Sequence, residues 1–330
     1  MFHSLNGSEF QIESVYNTDN VDAYSKNSTG YNSIYISGLG SSNSFSPITN
    51  ARQYINGAGL EKRAILAYAF LVENINEKLA LSGDYQIKLF AFSRGASTAR
   101  MLANYLSLYG LSISNINSRD SLGYTKFEGT FFEPKHSTSV RGLMTRINFL
   151  GLFDTVASIG VDPNNRLSPI QNYTNTEPLS KLSLDVPDIV EKCSHAVAIN
   201  EIRTAYVYTP INITSNRKEV FFIGSHEDIG GKNNERQKIA LRWMILESNM
   251  SNELHSLLIS HFDSLEIGNQ AKIVDKSDVA PIYGGATNRF VDLSRVDKTV
   301  VEFANNHNIT LQKVTDSILM QSLAGQIGAG

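Results

Sequence analysis

The chain has 330 residues, of which 42% are hydrophobic and 18% are charged, and its formal net charge is -3. This balance provides no basic surface for a nucleic-acid backbone, so nucleic acid is excluded as an expected partner. The single cysteine, Cys193, cannot form an intrachain disulfide, and we expect it to be a small core residue.

No stretch of the sequence approaches the about 18 apolar residues of a membrane-spanning helix. Residues 1–10 lack a basic segment followed by an apolar run, so no ordinary secretory signal peptide is predicted. We therefore expect a protein that is made in the cytosol and that uses another route for any export.

The first half of the chain alternates between strand and helix patterns. A polar, loop-like start leads into a predicted strand over 33–37, and apolar residues recur at helical spacing over 59–81. A strand of increasingly apolar character is predicted over 86–92, in a buried central position of a parallel sheet. A helix over 94–109 follows directly and ends at Gly110. This alternation predicts an α/β fold whose parallel sheet is covered by helices on both faces.

The second half continues the pattern with long polar interruptions. The stretches at 112–146 and 163–187 have no clear period and predict excursions, the first of which could carry lid or substrate contacts. Further strands are predicted over 147–153 and 219–223, and further helices over 190–201, 235–247 and 297–307.

A serine lies where the strand at 86–92 ends and the next helix begins. The residues two positions away from Ser93 are Ala91 and Gly95, which are small enough for the tight strand-to-helix turn of a G-x-S-x-G nucleophile elbow. Alanine fits the steric requirement although it is not the motif's glycine. The alternative is that Ser93 is only the N-cap of the helix that follows.

Two later strands end in residues of complementary chemistry. Asp154 follows the strand at 147–153, and His226 follows the strand at 219–223. Hydrolases of the α/β class carry the serine, the acid and the histidine in this chain order, at the carboxyl edge of the sheet. The imidazole removes the serine proton and the carboxylate orients the imidazole. The three residues therefore predict a serine hydrolase that needs no metal or organic cofactor.

Each of these residues also has a simpler interpretation. Asp154 could be a polar strand end or a helix cap. His226 could be a loop residue or, with Glu227 and Asp228, a metal ligand, although the H-E-x-x-H spacing is absent. The triad order within one chain favours the catalytic interpretation.

A serine hydrolase also needs donors for the oxyanion of its intermediate. The backbone N–H of Arg94, the residue after the nucleophile, is the first expected donor. The second is expected from a glycine-bearing loop around Gly7 or Gly40, and the sequence does not choose between them.

Four motifs in chain order resemble those of one known family. The family is the uncharacterised α/β-hydrolase domain family that includes the first class of type VI secretion lipase effectors. The resemblance covers about residues 1–245. The motifs are Phe-Ser-Arg-Gly-Ala at 92–96, Phe-Asp-Thr-Val-Ala-Ser at 153–158, Ala-Ile-Asn-Glu-Ile-Arg at 198–203 and Gly-Ser-His-Glu-Asp-Ile-Gly-Gly at 224–231.

The resemblance implies a fold and roles for particular residues. It implies an α/β-hydrolase catalytic domain over 1–245, and we expect residues 246–330 to form a helical extension packed on the same domain. It assigns Ser93 as nucleophile, Asp154 as triad acid and His226 as base. Asp228 is expected to hold the histidine loop through backbone hydrogen bonds, and Glu201 and Arg203 are expected to form a buried pair that supports the site.

The resemblance also implies a substrate and partners. It implies hydrolysis of phospholipid acyl esters, transient contact with a membrane surface, and delivery into a rival bacterium by a contractile secretion apparatus, with an immunity protein as a further partner. Two alternatives stay open: an esterase or thioesterase acting on a non-lipid substrate, and a catalytically silent hydrolase-fold protein that binds a partner.

Overall fold

The computed structural model of the protein describes residues 23–26, 32–36, 63–64, 67–68, 70–71, 75, 85–110, 145–157, 184–230, 235–249 and 286–316. The first described elements are strands β1 (Ala23–Lys26) and β2 (Asn32–Tyr35), which pair antiparallel in a two-stranded sheet. β2 matches the strand predicted over 33–37, but the loop predicted before it is wrong where β1 forms. The four residues of β1 have no alternating pattern that would distinguish them from loop.

A four-stranded parallel sheet organises the rest of the described structure. Its strands lie side by side in chain order: β3 (Lys88–Phe92), β4 (Phe149–Phe153), β5 (Cys193–Ala198) and β6 (Arg217–Phe222). Every residue of β4 and β5 is buried, as expected for parallel strands covered on both faces. The parallel sheet is confirmed, together with the strands predicted at 86–92, 147–153 and 219–223.

β3 was predicted in a buried central position of the sheet. In the described sheet it pairs with β4 and lies at one end of the strand order. Its five residues are all half-buried. An apolar strand sequence shows that a strand is covered, but it does not reveal its place in the order.

The helix predicted over 190–201 is wrong, because this stretch contains strand β5. The strand lies between β4 and β6; it pairs with β4 over Cys193–Ala196 and with β6 over Cys193–Ala198. The run of small and apolar residues is too short for periodicity to separate a buried strand from a helix. Pairing with two neighbouring strands decides the outcome.

The helices follow the strands as the sequence predicts. α1 (Arg94–Tyr109) begins directly after β3 and ends at Gly110, whose φ of 61° ends the helix and whose N–H donates to Leu106 O. Then come α2 (His226–Gly230), α3 (Glu235–Glu247), α4 (Lys298–Asn306) and α5 (Leu311–Thr315). The helices predicted over 94–109, 235–247 and 297–307 are confirmed, and α2 was not predicted.

Alternate residues of the strands pack against helices on opposite faces of the sheet. Leu150 and Leu152 share a core with α1 residues such as Leu102. Phe149 and Phe153 share a second core with α3 residues, among them Met244. Helices on both faces of a parallel sheet define an α/β fold.

The structure describes only parts of three other predicted stretches. In the stretch predicted as a helix over 59–81, the residues 63–64, 67–68 and 70–71 are helical. Ala64 and Tyr68 contribute to the core on the α1 side. The predicted excursion at 112–146 falls almost entirely outside the described residues, as does most of the loop predicted at 163–187.

The C-terminal helices pack on strands β5 and β6. Val300 and Phe303 of α4 and Val314 of α5 share a third core with Val197 of β5 and Phe221 of β6. None of the described helices is long and apolar enough to cross a membrane.

Candidate active site

Ser93 occupies a strained turn between β3 and α1. Its φ of 59° and ψ of -129° lie in a region that residues with a side chain rarely adopt, and such strain concentrates at functional sites. Its side chain makes no capping hydrogen bond to the helix. Instead, Ser93 Oγ lies 2.8 Å from His226 Nε2. The simpler interpretation of Ser93 as a helix cap therefore does not describe its side chain.

Asp154 follows β4 and is completely buried. Its φ of 42° turns the chain at the strand end, and its N–H donates to Ala196 O at 2.7 Å. Asp154 Oδ1 accepts from the N–H of Ala198 at 2.9 Å, and Oδ2 lies 2.5 Å from His226 Nδ1. The carboxylate thus points across the strand ends at the histidine.

His226 begins α2, and its ring joins the serine to the acid. An ionised carboxylate only accepts hydrogen bonds, so Nδ1 carries the proton that is donated to Asp154, and Nε2 is left to accept from Ser93 Oγ. The ring lies between the rings of Phe92, at 4.4 Å, and Tyr206, at 5.0 Å between centroids. The three predicted residues form one hydrogen-bonded chain.

Arg289 binds Asp154 and had no signal in the sequence. Its Nη1 donates to Asp154 Oδ1 at 2.6 Å and its Nη2 donates to Oδ2 at 3.1 Å. Burial raises the pKa of Asp154, but Arg289 and His226 outweigh it and hold this pKa well below its ordinary value. The acid is therefore ionised at neutral pH. Arg289 is 135 residues from Asp154 in the chain, and no motif surrounds it.

Two glycines fix the loop that carries His226. A Cβ at Gly224, whose φ is 125°, would lie 2.5 Å from Asp228 Cβ, and a Cβ at Gly230 would lie 2.3 Å from the Phe92 ring. Asp228 Oδ2 accepts from both the backbone N–H and the hydroxyl of Ser225, at 2.7 and 3.0 Å. The backbone bond is of the kind expected for Asp228 from the family motif.

Glu201 and Arg203 form a buried ion pair beside the histidine. Arg203 Nε and Nη2 donate to the two carboxylate oxygens of Glu201 at 2.8 and 2.7 Å. Glu201 Oε2 also accepts from the N–H of His226 at 3.2 Å, and the Arg203 guanidinium lies 3.7 Å from the centre of the Tyr206 ring. The pair thus contacts both the backbone of His226 and an aromatic ring that packs on its imidazole.

The expected oxyanion donors are only partly within the described structure. Arg94 begins α1 directly after Ser93, which is the position that the elbow motif requires. Gly7 and Gly40 lie outside the described residues. A Cβ built at Gly95 meets no described atom within 4 Å, so the predicted steric need for a small residue there is not found in the described structure.

A second buried histidine was missed because its strand was predicted as a helix. His195 of β5 is fully buried; its Nδ1 lies 2.9 Å from Glu219 Oε2, and its Nε2 accepts from the N–H of Thr155 at 3.0 Å. Glu219 Oε1 also accepts from Arg295 Nη1 at 2.9 Å. Within the described residues, no group of three or more His, Cys, Asp or Glu side chains is arranged to hold a metal ion.

The fold and this site define an α/β protein with a hydrogen-bonded serine, histidine and aspartate at the carboxyl edge of its parallel sheet. The family model for the type VI secretion phospholipase effector Tle1-like catalytic domain matches residues 20–247. The chain therefore belongs to this family, as its four motifs predicted.

Individual relatives share between 20% and 29% sequence identity with the chain. An uncharacterized protein of Saccharomyces cerevisiae is 29% identical over 169 residues, which cover 46% of this chain and 22% of that protein. The solved structure of the Tle1 effector bound to the VgrG spike of the type VI secretion system is 26% identical, with a TM-score of 0.33, over 57% of this chain and 33% of that one. An uncharacterized protein from Pseudomonas aeruginosa is 20% identical, with a TM-score of 0.28, over 82% and 34%. The matches span about a fifth to a third of these relatives.

Proposed function

We propose that this protein is a serine hydrolase of the α/β-hydrolase fold that cleaves acyl esters of glycerophospholipids. Ser93 is the nucleophile, His226 the general base and Asp154 the acid that orients the base. The observation that carries the proposal is the continuous hydrogen-bonded chain from Ser93 Oγ through the His226 ring to Asp154 Oδ2, with distances of 2.8 and 2.5 Å. Membership of a phospholipase effector family supports the lipid substrate.

The first half of the reaction forms an acyl-enzyme. Ser93 Oγ attacks the ester carbonyl carbon while its proton moves to His226 Nε2, and the carbonyl oxygen becomes an oxyanion. The intermediate then collapses: the bond from carbon to the alcohol oxygen breaks, and that oxygen takes the proton from Nε2. Asp154 remains ionised throughout, because Arg289 and His226 keep its pKa low, and it stabilises the imidazolium that forms.

The second half restores the enzyme. A water molecule attacks the acyl carbon and transfers a proton to His226 Nε2. The bond between the acyl carbon and Ser93 Oγ breaks, and Oγ regains its proton from Nε2. The backbone N–H of Arg94 stabilises the oxyanion in both halves, together with a second donor from the loop of Gly7 or Gly40.

The other assignments belong to the same proposal. Glu201, Arg203 and Asp228 support the site by holding the His226 loop. The catalytic domain extends over 1–245, and residues 246–330 pack on it. The family's description as secretion effectors supports delivery into a target cell by the secretion apparatus, with contact to a membrane surface and an immunity protein as partner.

The experiment uses a fluorophosphonate probe and two ester panels on the full chain. The probe reacts with activated serines, so we expect the wild type to be labelled at Ser93 and Ser93→Ala to be unlabelled. Ser97→Ala is the matched control, because it removes a buried hydroxyl of the same helix that bonds to Val156 O and lies outside the triad. It should be labelled like the wild type if folded.

The ester panels then identify the substrate class. We expect release of fatty acid from phospholipid vesicles, with loss of this activity in Ser93→Ala. Turnover of soluble short-chain esters or thioesters without any phospholipid cleavage would contradict the lipid substrate. A folded wild-type protein that neither reacts with the probe nor hydrolyses an ester would contradict the enzymatic function and indicate a binding protein.

A further inference from the structure

Arg289 lies beyond the residues 20–247 that match the catalytic-domain family, yet it reaches the triad acid. Its side chain is 5% exposed. Besides both oxygens of Asp154, it donates to Ala198 O at 2.9 Å and to Tyr206 O. The guanidinium thus connects the strand ends of β4 and β5 to the turn that carries Tyr206.

The backbone before Arg289 is anchored to the domain. Ala286 forms an antiparallel bridge with Arg203, and the N–H of Thr287 donates to Ile202 O at 2.8 Å. Asn288 Nδ2 donates to Asp316 Oδ1 at 3.1 Å. These bonds hold the chain that leads to Arg289, and the bonds of the guanidinium itself orient its side chain toward Asp154.

The planar guanidinium restricts how the Asp154 carboxylate can rotate. Two roughly parallel hydrogen bonds from one arginine define the plane of a carboxylate as well as neutralising it. Oδ1 accepts one further hydrogen bond, from the N–H of Ala198 at 2.9 Å. In this orientation Oδ2 faces His226 Nδ1.

We propose that Arg289 is a positioning residue for the reaction, which holds the Asp154 carboxylate toward His226 and whose charge offsets that of the carboxylate. This inference rests on the proposed function. If it is correct, a residue C-terminal to the family domain at 20–247 orients a side chain of the active site.

The other charged groups around the pair are largely balanced. Glu201 is paired with Arg203, and Glu219 is bound by His195 and Arg295. Burial and Glu219 raise the pKa of Tyr208 to about 12, so this neighbour is neutral at physiological pH. Two further charged residues are sequence neighbours of the pair's contacts: Glu227 follows His226, and Arg94 follows Ser93. Asp228 lies in the same loop as His226 and interacts electrostatically with Arg236. Arg289 is the arginine that the described structure places directly on Asp154.

The test measures the rate of fluorophosphonate labelling at Ser93 against pH, in the full chain. In Arg289→Met the uncompensated carboxylate should make the pair bind a proton more readily. We therefore expect the acid limb of the rate profile to move up by about one pH unit or more and the rate at neutral pH to fall by about 10- to 100-fold. Arg289→Lys keeps the positive charge but cannot make two hydrogen bonds to the carboxylate in one plane. The acid limb of its rate profile should therefore stay near that of the wild type, while the labelling rate still falls.

Arg295→Met is the matched control, because this arginine also comes from the C-terminal segment and binds the buried carboxylate of Glu219, which lies outside the triad. We expect it to lower the melting temperature without moving the acid limb. The inference is overturned if the acid limb of the rate profile of Arg289→Met lies at the same pH as that of the wild type or of Arg295→Met. If Arg289→Met does not fold, a wild-type rate in Arg289→Lys overturns it. Absence of labelling in the wild type would instead contradict the proposed function.

Discussion

Two buried histidine–carboxylate pairs, one at the strand ends and one within the strands of the same sheet, differ in what the second ring nitrogen contacts. In the first, Asp154 binds Nδ1 of His226, whose Nε2 contacts the hydroxyl of Ser93. In the second, Glu219 binds Nδ1 of His195, whose Nε2 accepts from the backbone N–H of Thr155. Each carboxylate is also bound by an arginine of the C-terminal segment.

The comparison shows that a buried carboxylate beside a histidine does not by itself make a catalytic base. Ser93 is half-buried and its hydroxyl has a proton to give, whereas the acceptor nitrogen of His195 is occupied by the N–H of Thr155, a backbone amide that is not a nucleophile. We therefore interpret the His226 pair as catalytic and the His195 pair as structural. The His195 pair holds the peptide that directly follows Asp154, so it supports the turn on which the first pair depends.

The largest expected effect is on the rate of ester hydrolysis, when the negative charge of Asp154 is removed. In Asp154→Asn, the amide no longer fixes the proton on His226 Nδ1, so the general base is present in the wrong tautomer. We expect the esterase rate to fall by about 10³- to 10⁴-fold. The measurement is ester hydrolysis at pH 7 with circular dichroism as a check of folding. A folded variant with a rate near the wild type would show that Asp154 is not the triad acid.

The corresponding change in the second pair should act on stability instead. Glu219→Gln leaves Arg295 and His195 without their buried anion, and breaking such a pair costs about 3 kcal/mol of unfolding free energy. Urea denaturation measures this loss. The labelling rate of the folded fraction should stay within about threefold of the wild type, since the triad contacts remain. A rate loss as large as that of Asp154→Asn would contradict the distinction between the two pairs.

A smaller effect is expected from changing the packing behind His226 without altering a charge. In Gly230→Ala the new methyl group would lie 2.3 Å from the Phe92 ring, which packs on the imidazole. We expect a loss of about 1–3 kcal/mol in unfolding free energy. Gly95→Ala is the matched control, because its methyl group meets no described atom within 4 Å and alanine favours a helix. Equal destabilisation of both variants would contradict the packing argument.

The smallest expected effect is on the acid sensitivity of folding. Burial raises the pKa of Glu219, but His195 and Arg295 outweigh it and lower this pKa below 4.5. Its stabilising contribution is therefore present above the unfolded pKa and is lost as the pH falls toward the folded one. Glu219→Gln lacks this contribution, so its unfolding free energy should fall less steeply than that of the wild type between about pH 5 and 3. Parallel curves from urea denaturation would contradict the ionic role of Glu219.

Local sequence patterns were sufficient for some elements and insufficient for others. The strands before Ser93 and Asp154 and the helices at 94–109 and 235–247 were predictable, because long apolar periodicity and glycine boundaries are local signals. β5 was not, because its six residues, mostly small or apolar, fit either structure and only pairing with β4 and β6 makes them a strand. His195 was lost with that strand.

The sequence by itself determined the order of serine, aspartate and histidine, each behind a predicted strand, and the four motifs that identify the family. Parallel strands bring their carboxyl ends to one edge, so chain order alone implied that the three would meet. Only the tertiary structure decided that Arg289 binds Asp154, across 135 residues, and that Arg295 binds Glu219. Such ion pairs depend on how a distant segment docks, because an arginine in a polar loop has the same local sequence whether it meets solvent or a buried carboxylate.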